Sequence, residues 1–237
     1  MDALIIAAGF GSRLRGISDA KPLTPVAGIS LLELGVRQAR AAGVSRMVVA
    51  TGHEAERLEA AFPALAERCG VEMVAARVED WSKPNGWSVM AGAARIAGDY
   101  LLMMADHIFG DGILDRLARQ GGADRGVTLA TDRRTDSPLV DPEDATWVET
   151  DGGGFIRAIG KTIARYDAVD CGAFLATPEL AGAIAAAIAA GKAGSLSDVA
   201  MRTRAMAWVT DVEVDPVAPD VADLAERSSV RSGWSVP

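Results

Sequence analysis

Cysteine is almost missing from this 237-residue chain, which carries only Cys69 and Cys171. Two thiols so far apart exclude a zinc site, a haem attachment motif and a CxxC redox pair, and they read as free thiols of a reducing cytosol. Aromatic residues are few, at 5%. No run approaches the ~18 apolar residues of a membrane-spanning helix. The first apolar stretch, residues 4–8, is too short for a secretory h-region and lacks its basic flank. The expected location is cytoplasmic, with no direct membrane insertion. An excess of positive charge is lacking too: the formal net charge is -8. That argues against nucleic acid or an anionic membrane as the main partner, since either would favour a basic patch and gain from counterion release. A nucleotide can still bind locally.

What the chain does contain is an ordinary globular balance of 49% hydrophobic and 24% charged residues. Its length suits one α/β domain, read here as residues 1–227 followed by a polar tail at 228–237, although length alone leaves room for two small domains. Short apolar runs alternate with amphipathic segments: strand 3–8, helix 31–42, strand 47–51, helix 55–62, strand 72–76, helix 87–96, strand 100–104, helix 112–120. That rhythm predicts βαβα units around a parallel sheet. After about residue 126 the pattern changes. Strands at 127–131, 146–149, 155–159 and 169–176 follow one another without helices between them, which predicts mixed or antiparallel pairing. Helices are expected again at 178–190 and 197–204, then a strand at 207–214 and a helix at 220–227. The alanine-rich stretch 181–190 carries Ile184 and Ile188 at helical spacing and reads as a core-packing helix. In the tail, only docking of Trp234 would hold the chain down.

The strand Leu4-Ile5-Ile6-Ala7-Ala8 runs straight into Gly9-Phe10-Gly11-Ser12-Arg13. Glycines after a strand let backbone N–H groups approach phosphate oxygens. Neither common phosphate loop fits: no Gly-Lys-Ser/Thr follows at P-loop spacing, and Leu14 stands where a dinucleotide fingerprint needs its third glycine. Lys21-Pro22-Leu23 adds a second cation downstream. A further strand, Tyr100-Leu101-Leu102-Met103-Met104, ends on Ala105-Asp106-His107, and in open α/β sheets such a strand end faces the ligand crevice. Asp106 offers the hard oxygen that Mg²⁺ prefers.

The run from Ile5 to Pro22 resembles the N-terminal motif of the sugar-nucleotide nucleotidyltransferases, A-A-G-x-G-[ST]-R-L followed by K-P-[LM]. The resemblance implies a Rossmann-like nucleotidyltransferase fold of the α/β class, a mixed, mostly parallel central sheet flanked by helices in the glycosyltransferase-A manner. It implies that Ala7, Ala8, Gly9, Gly11 and Ser12 hold the nucleotide. Arg13 would stabilise the pyrophosphate leaving group, and Lys21 would bridge the α-phosphate and the incoming acceptor. Such chemistry brings anions together, so cations are needed on both sides. The family also places a metal-binding aspartate where Asp106 stands. His107 is expected to be structural or to face the acceptor, because an acceptor phosphate with a second pKa near ~6 needs no base.

The second metal ligand of this family sits before the last helix, where Asp211-Val212-Glu213-Val214-Asp215 occurs here. On a strand the three acids share one face. Glu213, with Asp215 second, aligns as the Mg²⁺ ligand beside Asp106; an exposed acidic strand is the alternative. The middle of the chain is similar to the inositol-1-phosphate cytidylyltransferases, which carry N-G-Y-S, D-H-[IV]-[YF] and I-G-K followed by F-D-x-V-D-x-G-x-F. The counterparts here are Asn85-Gly86-Trp87-Ser88, Asp106-His107-Ile108-Phe109, Ile159-Gly160-Lys161 and Tyr166-Asp167-Ala168-Val169-Asp170-Cys171-Gly172. By that likeness Asn85, Gly86 and Ser88 lie near the nucleobase, and Lys161 clamps the acceptor phosphate as a point charge. The implied partners are CTP and a small phosphorylated acceptor. Some relatives carry a membrane-embedded phosphatidyltransferase domain that this chain lacks, so the product is expected to pass to a separate transferase. The acid-rich stretch 132–144 reads either as a source of bonds to acceptor hydroxyls or as a solvated loop. Competing readings are a uridylyl- or guanylyltransferase for a sugar 1-phosphate, a cytidylyltransferase for a phosphonate or phosphocholine, a nucleotide sensor without turnover, and a Rossmann oxidoreductase, the last disfavoured by Leu14.

Overall fold

The computed structural model describes residues 1–10, 20–110, 112–120, 126–138 and 140–200, together with the backbone of 206–209; at 198 and 200 it likewise describes the backbone alone. Its centre is a nine-stranded sheet. Strand β1 (Asp2–Ile6) pairs in parallel with β4 (Arg46–Thr51) on one side and β6 (Tyr100–Met104) on the other, and β5 (Glu72–Arg77) extends the sheet beyond β4, also in parallel. On the far side of β6 lies β10 (Ala168–Ala176), antiparallel both to β6 and to β7 (Val127–Asp132). The backbone of β11 (Met206–Val209) runs parallel to β7 at the edge. Along the path β11-β7-β10-β6-β1-β4-β5 only β10 is therefore reversed. Strands β8 (Trp147–Thr150) and β9 (Ile156–Gly160) form an antiparallel pair attached to the start of β10.

The central strands are buried on both faces, which is why they read as unbroken apolar runs. Ala3 and Ile5 of β1, with Leu101 and Met103 of β6, face one core; Leu4, Tyr100 and Leu102 face the other. The first core is covered by α1 (Leu31–Ala41), α2 (Ala55–Ala60), α3 (Phe62–Cys69) and α5 (Ile113–Ala118). The second is covered by α4 (Asn85–Ala93), α6 (Glu179–Ala189) and α7 (Leu196–Ala200). Helix α6 packs on the core as its sequence predicts, burying Leu180, Ile184 and Ala187, while Ile188 of the expected stripe is half-buried against the same core. Helix α1 begins at Ser30, whose side chain accepts from the Glu33 N–H at 3.2 Å. The Glu33 carboxylate is buried and receives Arg37 of its own helix at 2.7 Å and Arg68 of α3 at 2.8 Å.

Several boundaries differ from the sequence reading. The helix expected at 55–62 is two helices, because Pro63 sits in the first turn of α3, where a missing N–H costs nothing, and so starts a helix instead of only stopping one. Helix α4 begins at Asn85, directly after Pro84, and ends at Ala93 instead of running from 87 to 96. Strand β1 ends at Ile6: Ala8 has turned away, its carbonyl accepting from the His53 N–H at 3.0 Å. A small hairpin, β2 (Pro25–Val26) and β3 (Ile29–Ser30), was not expected; Ala27 and Gly28, both at positive φ, make its two-residue turn. The antiparallel pairing expected in the second half is present. Residues 210–214 of the expected last strand, the helix at 220–227, the tail and Trp234 lie outside the described residues.

Candidate active site

Strand order reverses at β1, with β4 and β5 on one side and β6 on the other, and a crevice opens beyond the carboxyl ends of β1 and β6. Ala7 and Gly9 leave β1 there, and Ala105 and Asp106 leave β6, tied back by the Ala105 N–H donating to the Ile6 carbonyl at 3.2 Å. A 3-10 turn, Lys21–Leu23 with Pro22 buried, carries Lys21 to the same place. These residues line a cleft of about 350 Å³ together with His107, Asp144, Lys161, Asp170 and Gly172.

Asp106 is the electrostatic centre. Lys21 Nζ donates to its Oδ2 at 2.5 Å, and His107 Nδ1 lies 2.8 Å from its Oδ1. Burial would raise the Asp106 carboxyl, but the hydrogen bond and charge of His107 and the charge of Lys21 outweigh it and hold the group far below the usual carboxylate range. The same pairing raises His107: burial alone would lower it, yet the bond to Asp106 and the charges of Asp106 and Asp170 prevail. Asp170 is pushed up to about 6 by burial, against the Gly172 N–H that donates to it at 2.7 Å and against nearby His107. Gly172 is where β10 bulges, with φ +72; a side-chain carbon there would stand 2.7 Å from the His107 ring. Only a glycine lets the imidazole lie against that backbone and keep its bond to Asp106.

The other wall comes from the antiparallel half. Lys161 follows β9, and its Nζ donates to Asp144 at 2.9 Å, with Thr146 beside it in the cleft lining. Asp144 belongs to the acid-rich stretch singled out in the sequence, and part of that stretch faces the cleft.

The structure thus gathers Ala7, Gly9, Lys21, Asp106 and Lys161 around one cleft, with Ala8 buried just behind. It does not bring Asn85, Gly86 and Ser88 into that lining. Asn85 Oδ1 accepts from the Leu196 N–H at 2.9 Å, Gly86 packs against the Gly194 carbonyl, and Ser88 is buried in α4. Gly11, Ser12, Arg13, Glu213 and Asp215 lie outside the described residues. Among the described residues no group of three His, Cys, Asp or Glu side chains converges as a metal cage. Asp106 fits a divalent cation there by its ionised hard oxygens and its place on the cleft, in the manner of Mg²⁺ sites that share one or two carboxylates with substrate phosphates. Sequence reasoning left Thr146, Asp170 and Gly172 without roles and read Asp144 only as part of the acid-rich stretch 132–144. Asp144 and Thr146 precede β8 and Asp170 and Gly172 lie within β10, a placement that becomes readable only once β10 is known to lie beside β6. Both cysteines are free, and burial pushes Cys171 up to about 12.

Residues 3–197 match the family described as MobA-like NTP transferase domain. A bifunctional IPC transferase and DIPP synthase of Rubrobacter xylanophilus is 37% identical over 177 residues, covering 73% of this chain and 38% of that protein. The protein of that description from Aquifex aeolicus is 28% identical over 204 residues, covering 85% of this chain and 45% of its own length. The chain thus spans less than half the length of these two curated relatives. Among solved structures, the inositol-1-phosphate CTP transferase from T. maritima superposes with a TM-score of 0.77 at 20% identity, covering 99% of this chain and 98% of that one. A UDP-glucose pyrophosphorylase complexed with UDP-glucose gives 0.75 at 18% identity, over 97% of each chain. At such identities the superpositions establish the fold, a mixed, mostly parallel sheet between helices.

Proposed function

From the premise that this chain belongs to the MobA-like NTP transferase domain family, we propose that it transfers CMP from CTP to a phosphorylated cyclitol such as inositol 1-phosphate and releases pyrophosphate. The observation that carries the reading is the Lys21–Asp106 pair at the strand-order reversal, in the same cleft as Lys161. The choice of CTP and inositol phosphate is supported by the likeness to IPC transferases and to an inositol-1-phosphate CTP transferase.

The reaction is an in-line displacement. An acceptor phosphate oxygen forms a new bond to the α-phosphorus, the bond to the β-phosphate oxygen breaks, and pyrophosphate departs with the electron pair. Lys21 serves both anions at that centre, Lys161 holds the acceptor phosphate, and the loop at Gly9 offers backbone N–H groups to the nucleotide. The acceptor phosphate is already ionised at neutral pH, so no side chain needs to remove a proton and no covalent enzyme intermediate forms. A divalent cation, in this reading Mg²⁺, would neutralise phosphate charge beside Asp106, with Glu213 and Asp215 as its further ligands and Arg13 on the pyrophosphate. Asn85, Gly86 and Ser88 keep their proposed place near the base through the backbone at the start of α4. Among the described residues no helix is long and apolar enough to cross a membrane.

The test is pyrophosphate release with Mg²⁺, crossing five nucleoside triphosphates against inositol 1-phosphate, glucose 1-phosphate, phosphocholine and 2-aminoethylphosphonate. CTP with inositol phosphate is the expected pair. Another productive pair would move the enzyme to a sister branch, and silence across the grid would remove the reading.

A further inference from the structure

In a chain with only 5% aromatic residues, three rings meet at the rim of the crevice: Phe10, His53 and Trp81. Each comes from the loop after a different parallel strand, β1, β4 and β5 respectively. Phe10 and Trp81 lie within 16° of parallel at 5.9 Å between centroids, and His53 stands against both at 4.6 and 5.1 Å. The cluster is anchored to the nucleotide loop. The His53 N–H donates to the Ala8 carbonyl at 3.0 Å, and a side-chain carbon at Gly52 would lie 2.6 Å from Trp81 Cβ and 2.7 Å from the Ala8 oxygen. Yet Phe10 and Trp81 keep 38% and 39% of their surface exposed. Rings serving only as a plug between loops would gain most by burying that area.

We propose that this cluster is a stacking face for the nucleoside end of the bound triphosphate. The inference rests on the nucleotidyl-transfer reading, which fixes the α-phosphate beside Lys21 and Asp106. Acceptor groups, Lys161 and Asp170, occupy the β9 and β10 side of that point. An in-line displacement puts the leaving pyrophosphate opposite the acceptor and the nucleoside off that axis; the anionic pyrophosphate suits the backbone N–H groups of the loop at Gly9, and the uncharged, exposed rings beside that loop suit the nucleoside. Every base offers a π-face, so stacking here adds affinity for nucleotides in general and leaves the choice of base to other groups.

The experiment is calorimetric titration of CTP, UTP and inorganic tripolyphosphate, with Mg²⁺, into the wild type, Trp81→Leu and Phe10→Leu. Leucine keeps apolar packing without a π-face, and circular dichroism checks that both variants fold. The expected result is a loss of about tenfold for CTP and UTP alike in Trp81→Leu, a smaller loss in Phe10→Leu, and unchanged tripolyphosphate binding. Nucleotide affinity that survives both substitutions, or tripolyphosphate weakening in step with CTP, would overturn the stacking face. In either case pyrophosphate release by the wild type would still stand for the reaction. A wild type that neither binds a nucleotide nor releases pyrophosphate would remove the reaction reading and the stacking face with it.

Discussion

Asp106 has both oxygens engaged, one by Lys21 and one by His107, so the charges of the site are already assembled before any substrate arrives. In the proposed reaction Lys21 is the cation whose contribution grows as negative charge develops on the attacked phosphate. Lys21→Ala is therefore expected to lower kcat by roughly 10²–10³-fold while changing CTP affinity only a few-fold, read from initial rates of pyrophosphate release. A variant with full turnover would contradict the role. Lys161 behaves differently. It and Asp144 are 53% and 42% exposed, so their pair adds about 0–1 kcal/mol to stability. Lys161→Ala should leave the melting temperature nearly untouched and raise KM for the acceptor, whereas a large drop in Tm with unchanged KM would make Lys161 a structural residue. Asp106 was legible because it directly follows a buried apolar strand, and the two lysines were legible through the Lys21-Pro22-Leu23 and Ile159-Gly160-Lys161 motifs that carry the family resemblance. Asp170 and Gly172 were not, since their meaning depends on a bulge in β10 that sets Gly172 against the His107 ring.

At the scale of elements, Glu33 joins α1 to α3, and a carboxylate buried on a helix would be costly without Arg37 and Arg68. The hydrogen bond from Arg68 is the main cause that holds Glu33 below its ordinary value of 4.5, against burial and with help from Arg37. A carboxyl lowered in the folded state contributes stability that is fully present above 4.5 and is lost as pH falls through the folded value. Both arginines are 40% or more exposed, so solvent screens the pair. Glu33→Gln should cost about 1–2 kcal/mol at neutral pH, less than a fully buried pair would. In urea titrations the gap between wild type and variant should close as pH falls below 4.5 through the lowered folded value; a gap independent of pH would mean that the charge contributes nothing. The elements themselves were readable where burial is on both faces, as in β1, β4 and β6, since a continuous apolar run has one use in a parallel sheet. They were misjudged where proline starts a helix, at α3, and where two short strands form a hairpin around Ala27 and Gly28.

Among the described residues the nine-stranded sheet carries a core on each face, so neither core can open without exposing the same strands. Heat should unfold it in a single calorimetric transition. The crevice draws on both halves of that sheet, the phosphate loop from the parallel half and Lys161 and Asp170 from the antiparallel half, so a bound nucleotide and acceptor would tie the two together. Among the described residues no cage of three ligands surrounds Asp106. In the proposed reaction a divalent cation would then be held jointly by the protein and the phosphates, and it should stabilise the fold only when nucleotide is present. CTP at about 100 times its Kd with Mg²⁺ adds about 2.7 kcal/mol, which raises Tm by about 5–10 °C for a chain of this size. A chelator should abolish most of that rise and leave the Tm of the nucleotide-free protein where it was. If chelation alone lowers that Tm, the cation is bound by protein groups without nucleotide, and the jointly held site is wrong.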